Sequence, residues 1–126
     1  MFSHVMIGTN DLDKAKGFYD KLLGTLEVRP AMVDGHRIFY MTKTGVFSVS
    51  KPINGEPATC ANGATIGFAC NSPEQVDAWH AAGLAAGAKS IEDPPGVRQG
   101  PGGKLYLAYL RDLDGNKICA MHRLAS

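Results

Sequence analysis

Residues 106–122 read YLAYLRDLDGNKICAMH, and the fold turns on how this stretch divides. Leu105 to Leu110 is rich in Leu and Tyr, as strands often are. Asp112-Leu113-Asp114-Gly115-Asn116 is dense in turn formers. Gly115 and Asn116 tolerate positive φ, and the Asp side chains accept hydrogen bonds from nearby backbone amides. Lys117 to Arg123 then resumes as a strand, so the stretch predicts a β-hairpin with a tight acidic turn. Its returning strand has two faces: Ile118 and Ala120 on one, Cys119 and Met121 on the other.

Upstream, the same elements occur twice. Phe2 to Thr9 alternates, with Val5 and Ile7 on one face and Phe2, His4 and Met6 on the other. Asp11 to Leu23 carries a helical stripe through Leu12, Ala15, Phe18, Tyr19, Leu22 and Leu23. Three strands are predicted next, over 26–33, 37–42 and 46–50, with Asp34-Gly35 and Lys43-Thr44-Gly45 as turns. After a polar, turn-rich segment, Gly63 to Cys70 reads as a strand. Ser72-Pro73-Glu74-Gln75 opens a second helix, with Ser at the cap and Pro at the first position. Lys89 to Glu92 is predicted as a short strand. Asp93 to Gly103, DPPGVRQGPGG, is predicted as a long loop able to act as a lid.

The order is therefore β-α-β-β-β twice, an α+β class, with His4 falling opposite Thr65. One domain over 1–126 is expected: module 1 at about 1–52, a linker at about 53–62 and module 2 at about 63–126. Each helix covers one face of a small sheet. Two such sheets set together would curl into a concave cleft lined by their uncovered faces, with the helices outside.

Composition narrows the function classes. A formal net charge of +1 and no run of more than two like charges give no sign of a nucleic-acid partner. No apolar stretch reaches spanning length, so no membrane partner is expected. Cys60, Cys70 and Cys119 form neither a disulfide framework nor a zinc knot, and no signal peptide is visible, which fits a cytoplasmic protein. Trp79 and Phe18 are expected in the core. His80 is expected on the solvated side of its helix, His36 exposed, and His122 on the face of Ile118.

The doubled pattern, with NDLDKAKGFYDKLLG (10–24), SPEQVDAWHAA (72–82) and RDLDGNKI (111–118), resembles the vicinal oxygen chelate superfamily. That group includes glyoxalase I, extradiol dioxygenases and the bleomycin resistance proteins. The resemblance covers nearly the whole chain. It implies a divalent ion on the concave face, held by residues of the first and last strand of each module, that polarises vicinal oxygens of a substrate. Carried across, those positions fall on His4, Ser48, Thr65 and Cys119, so His4 is the only retained family ligand. Ser and Thr hydroxyls are weak neutral donors, and zinc sites want three or four strong ones.

Three functions follow as expectations, each with a small organic ligand and a homodimer. The first is a small-molecule binder with a largely lost metal site and no cofactor. The second is a glyoxalase I-like lyase or isomerase using Zn, Ni, Mn or Fe, with His4 as ligand or base and Cys119 as a possible catalytic partner. The third is a drug-sequestering protein, which ranks last for want of an acidic cluster. Ligand contacts are expected from His4, Met6, Ser48, Thr65, Arg98, Tyr106, Cys119 and Met121, with Arg98 able to hold a carboxylate.

Overall fold

Residues 1–125 are described by a computed structural model. Its elements are β1 (His4–Gly8), α1 (Leu12–Gly24), β2 (Met32–Asp34), β3 (Arg37–Thr42), β4 (Gly45–Ser50), β5 (Ile66–Ala69), α2 (Pro73–Ala85), β6 (Lys89–Gly100), β7 (Gly103–Arg111) and β8 (Lys117–Arg123). They build two mixed four-stranded sheets, ordered β1-β4-β3-β2 and β5-β8-β7-β6. Each opens with a parallel pair, β1 on β4 and β5 on β8, and the other pairings are antiparallel. The α+β class and the doubled module are as the sequence implies.

Local chemistry starts both helices. Asp11 caps α1, its carboxylate accepting from the Lys14 N–H at 3.0 Å. Ser72 caps α2 by accepting from the Gln75 N–H at 3.1 Å, and Gln75 reaches back to the Asn71 N–H at 2.7 Å. The apolar stripes then meet in one core. Phe18, Tyr19 and Leu22 of α1 and Val76 and Trp79 of α2 pack with Ile38, Tyr40, Ala108, Leu110, Ile118 and Ala120 of the strands. Phe47 of the first sheet meets Phe68 of the second edge to face, centroids 5.1 Å apart. The helix-covered faces of both modules thus share a single interior. No strand of one sheet comes within 8 Å of a strand of the other, Cα to Cα, among the described residues.

The acidic turn after β7 does more than reverse the chain. Asp112, 6% exposed, accepts from the Tyr19 hydroxyl of α1 at 2.5 Å, the Asn116 N–H at 2.8 Å, the Asp114 N–H at 3.0 Å and the Asn116 side chain at 3.0 Å. Asn116 also donates to the Gly8 carbonyl at 3.1 Å. Asp114 accepts from the Thr9 hydroxyl at 2.6 Å and the Asn10 N–H at 2.9 Å. The turn of the second module is therefore bolted to the β1–α1 corner of the first.

Three local expectations are corrected. The strand over 26–33 shrinks to Met32–Asp34, because Leu26, Glu27 and Val28 bond back to the end of α1, Glu27 adopts φ 64 and Pro30 lacks a donor. The loop over 93–103 is mostly strand: β6 runs to Gly100, paired with β7 through an irregularity between Ile91 and Gly96. Pro94 and Pro95 sit inside that irregularity on an edge strand, where a missing N–H costs no ladder bond. No free lid remains there. His80 is buried rather than solvated, with Nε2 3.0 Å from the Ser90 hydroxyl. Burial lowers its pKa, an effect that Asp77 partly opposes.

Candidate functional site

The faces turned away from the shared core are the candidate binding surfaces. On the first sheet, cross-strand pairing sets Met32, Phe39, Ser48 and Met6 in one row and Met41, Val46 and His4 in the next. Met6, Met32 and Met41 are exposed there. On the second sheet, Gly67, Cys119, Tyr109 and Ile91 form one row, and Ala69, Met121, Leu107 and Gly96 the next. Gly67 leaves room for the neighbouring thiol, since an added Cβ would lie 3.2 Å from Cys119 Sγ.

His4 stands exposed on its open face, Nδ1 2.8 Å from the Ser3 hydroxyl. Ser48 is fully buried, and its hydroxyl donates to the Ile38 carbonyl at 2.9 Å. Thr65 precedes β5 and is exposed. Cys119 is 8% exposed, and burial pushes its thiol up to about 11, with Lys117 lowering and Glu92 raising it. The thiol is therefore neutral at pH 7. Met121 lies beside it on the same open face.

One expected ligand contact turns elsewhere. Tyr106 pairs with His122 on the core side, and its hydroxyl donates to Asp77 of α2 at 2.8 Å. Arg98 pairs with Leu105 and so shares the open face of Leu107 and Tyr109, where its Nη2 donates to the Asp93 and Pro94 carbonyls, both at 2.9 Å, and braces the β6 irregularity. Tyr109 takes the open face instead, directly opposite Cys119. Lys117 Nζ lies 4.9 Å from the Tyr109 ring centroid and forms an ion pair with Glu92. Sequence reasoning missed this trio. The signal was present: an Asp112–Asn116 turn closes the ladder at Arg111 and Lys117, and counting back pairs Tyr109 with Cys119.

A crevice of about 610 Å³ lies between the free edges of β1 and β5, bordered by Phe2, His4, Phe47, Ile66, Phe68 and Asn71. It falls within the 300–1,000 Å³ range usual for small-molecule sites.

A sequence model of the Glyoxalase/Bleomycin resistance protein/Dioxygenase superfamily matches residues 1–120. The chain belongs to this superfamily. Its fold is similar to the crystal structure of a glyoxalase/bleomycin resistance protein from Albidiferax ferrireducens T118, at 61% identity and a TM-score of 0.96, covering 98% of this chain and 99% of that one. A glyoxalase/bleomycin resistance protein/dioxygenase family enzyme from Burkholderia phytofirmans PsJN matches in fold at 19% identity and TM-score 0.74, covering 97% and 98%. Lactoylglutathione lyase from Agrobacterium tumefaciens does so at 20% and 0.67, covering 96% and 92%. None of the curated proteins compared with the chain matches it.

The divalent ion that the superfamily implies can be tested against the donors present. Of its four positions, His4 offers an imidazole, Ser48 a fully buried neutral hydroxyl, Thr65 an exposed hydroxyl and Cys119 a neutral thiol. No three His, Cys, Asp or Glu side chains are grouped to hold a metal among the described residues. This set does not fit the ion. No helix among the described residues is long and apolar enough to cross a membrane.

Proposed function

We propose that this superfamily member binds a small organic molecule on the open faces of its sheets, with no resident divalent metal, as a cytoplasmic homodimer. The donor chemistry carries the reading: Ser48 offers only a fully buried neutral hydroxyl, and the Cys119 thiol is held protonated by burial. One imidazole is then left to grip an ion that wants at least three ligands. Thermal unfolding with and without Zn²⁺, Ni²⁺, Mn²⁺ and Fe²⁺ tests it. A specific metal at a hundred times its dissociation constant adds about 2.7 kcal/mol to stability. The expected result is no specific rise in Tm; a saturable rise with any one metal, lost in His4→Ala, overturns the reading.

The homodimer is supported by the uncovered apolar face of the first sheet. Met6, Met32 and Met41 are 42%, 62% and 58% exposed there, a patch of the kind that marks an interface. No strand of the second sheet comes within 8 Å of these strands, Cα to Cα, among the described residues, so a second copy is the proposed cover for the methionine patch.

A glyoxalase-like lyase or isomerase is the second reading. One observation favours it: His4 is exposed with Nδ1 against the Ser3 hydroxyl, and in the tautomer whose Nδ1–H donates to Ser3 the Nε2 atom is the base. Loss of turnover in His4→Ala, on a glutathione hemithioacetal assayed without metal, would separate this enzyme from a binder.

A further inference from the structure

The richest cluster outside the superfamily's metal positions is Glu92, Tyr109 and Lys117, one residue each from β6, β7 and β8. They lie far apart in sequence and meet on the open face of the second sheet. Lys117 stands over the Tyr109 ring, its other side against Glu92, with 25% of its side chain exposed. Glu92 is held unusually. It adopts φ 58, the left-handed region that a non-glycine residue avoids, at the point where the β6–β7 register slips. Such irregularities commonly re-aim one side chain, and here they point a carboxylate at Lys117.

The floor beside the trio is apolar, and two further cations share its face: Arg111, the cross-strand partner of Lys117, whose Nη1 donates to the Gly115 carbonyl, and Arg98, which pairs with Leu105. Cys119 lies directly across from Tyr109, and Leu107 and Met121 pair in the next row. The stem of Lys117 also borders a crevice of about 280 Å³ shared with Met6, Ile66 and Asn116. Arg98 and Arg111 each spend a guanidinium nitrogen on backbone carbonyls, whereas Lys117 stands beside an aromatic ring and its counterion is an exposed side chain, 46% accessible. A ligand carboxylate can replace Glu92 on Lys117 and leave the exposed Glu92 side chain to water, while its apolar body covers the floor.

We propose that Lys117, steadied by Tyr109, is the binding cation for the carboxylate of a small organic acid with an apolar body, and that Glu92 holds the place of that carboxylate in the free protein. This rests on the small-molecule reading above and names the ligand class for it.

Benzoate and its neutral isostere benzamide serve as probes, titrated into ¹⁵N-labelled protein and followed by amide shifts. Benzoate is expected to move signals in 105–109 and 117–121. Lys117→Met is expected to weaken benzoate about tenfold or more, the usual loss for a hydrogen bond to a charged group, and to leave benzamide unchanged. Glu92→Gln is expected to tighten benzoate by removing the competitor, and it keeps the test alive should Lys117→Met fail to fold. Benzoate that binds elsewhere, binds no better than benzamide, or binds Lys117→Met as well as the parent overturns the proposal. Benzamide binding at an open face regardless of Lys117 sinks the carboxylate proposal but keeps the small-molecule reading. Silence from a broader panel of neutral and charged organics at both open faces sinks that reading too.

Discussion

Removing one hydroxyl should show how the two halves are joined. Tyr19→Phe deletes the donor to Asp112 at 2.5 Å and little else, because the ring keeps its partners Phe18 and Phe47 at 4.9 and 5.0 Å between centroids. Burial, then the charge of Asp112, raises the Tyr19 pKa well above its ordinary value, so the phenol keeps its proton and donates it to Asp112. Bonds to charged groups contribute about 1.5–3 kcal/mol. Asp112 keeps three other hydrogen bonds in the variant, which argues for the middle of that range, about 2 kcal/mol. With about 2.1 cal/mol/K of unfolding entropy per residue, 126 residues give about 0.26 kcal/mol/K, and Tm should fall by about 8 °C. Urea unfolding followed by Trp79, the one tryptophan and fully buried, measures this directly. The midpoint should drop at unchanged m. Asp112→Ala should cost more, about 4 kcal/mol, since it strands the Tyr19 hydroxyl and the Asn116 amide together. A Tyr19→Phe protein within about 0.5 kcal/mol of the parent would show that the network is ornament to a core that holds by packing alone.

Thiol labelling offers a second test. Burial pushes the thiols of Cys70 and Cys119 to about 11, so about one in ten thousand is thiolate at pH 7, whereas Cys60 is exposed. Iodoacetamide should therefore modify Cys60 alone in the native protein, and prompt labelling of Cys119, read by mass spectrometry, would contradict the burial. Asp20 supplies a pH prediction. Burial alone would raise its pKa, but hydrogen bonds from Lys16, the Ala31 N–H and the Tyr40 hydroxyl outweigh that and lower it. A depressed folded pKa adds stability that is full above the unfolded value, about 3.9, and is lost as pH falls through the folded one. Asp20→Asn should thus be less stable than the parent at pH 7, with the gap closing in acid; a gap constant down to the acid transition would refute the assignment. Finally, Met41→Lys places a charge on the open face of the first sheet and should convert a homodimer to monomer by sedimentation velocity, without loss of secondary structure.

Much of the molecule was legible from one dimension because its signals are local. Asp11 and Ser72 cap their helices through bonds to residues three positions on, which requires nothing from the rest of the chain. The parity that separates Ile118 and Ala120 from Cys119 and Met121 is a property of any extended strand. The doubled β-α-β-β-β order follows from such signals in sequence. What the sequence hid is non-local. Asp93-Pro94-Pro95-Gly96 has every mark of a loop, yet its strand continues because β7 supplies a ladder and the irregularity absorbs both prolines. His80 is buried through its meeting with Ser90, and the Tyr106 hydroxyl finds Asp77 only because α2 packs against β7. Glu92, Tyr109 and Lys117 are three unremarkable residues until three strands lay them side by side. Short-range geometry is written residue by residue, whereas a cavity's lining is chosen by contacts between distant segments, and those exist only once the chain has closed on itself.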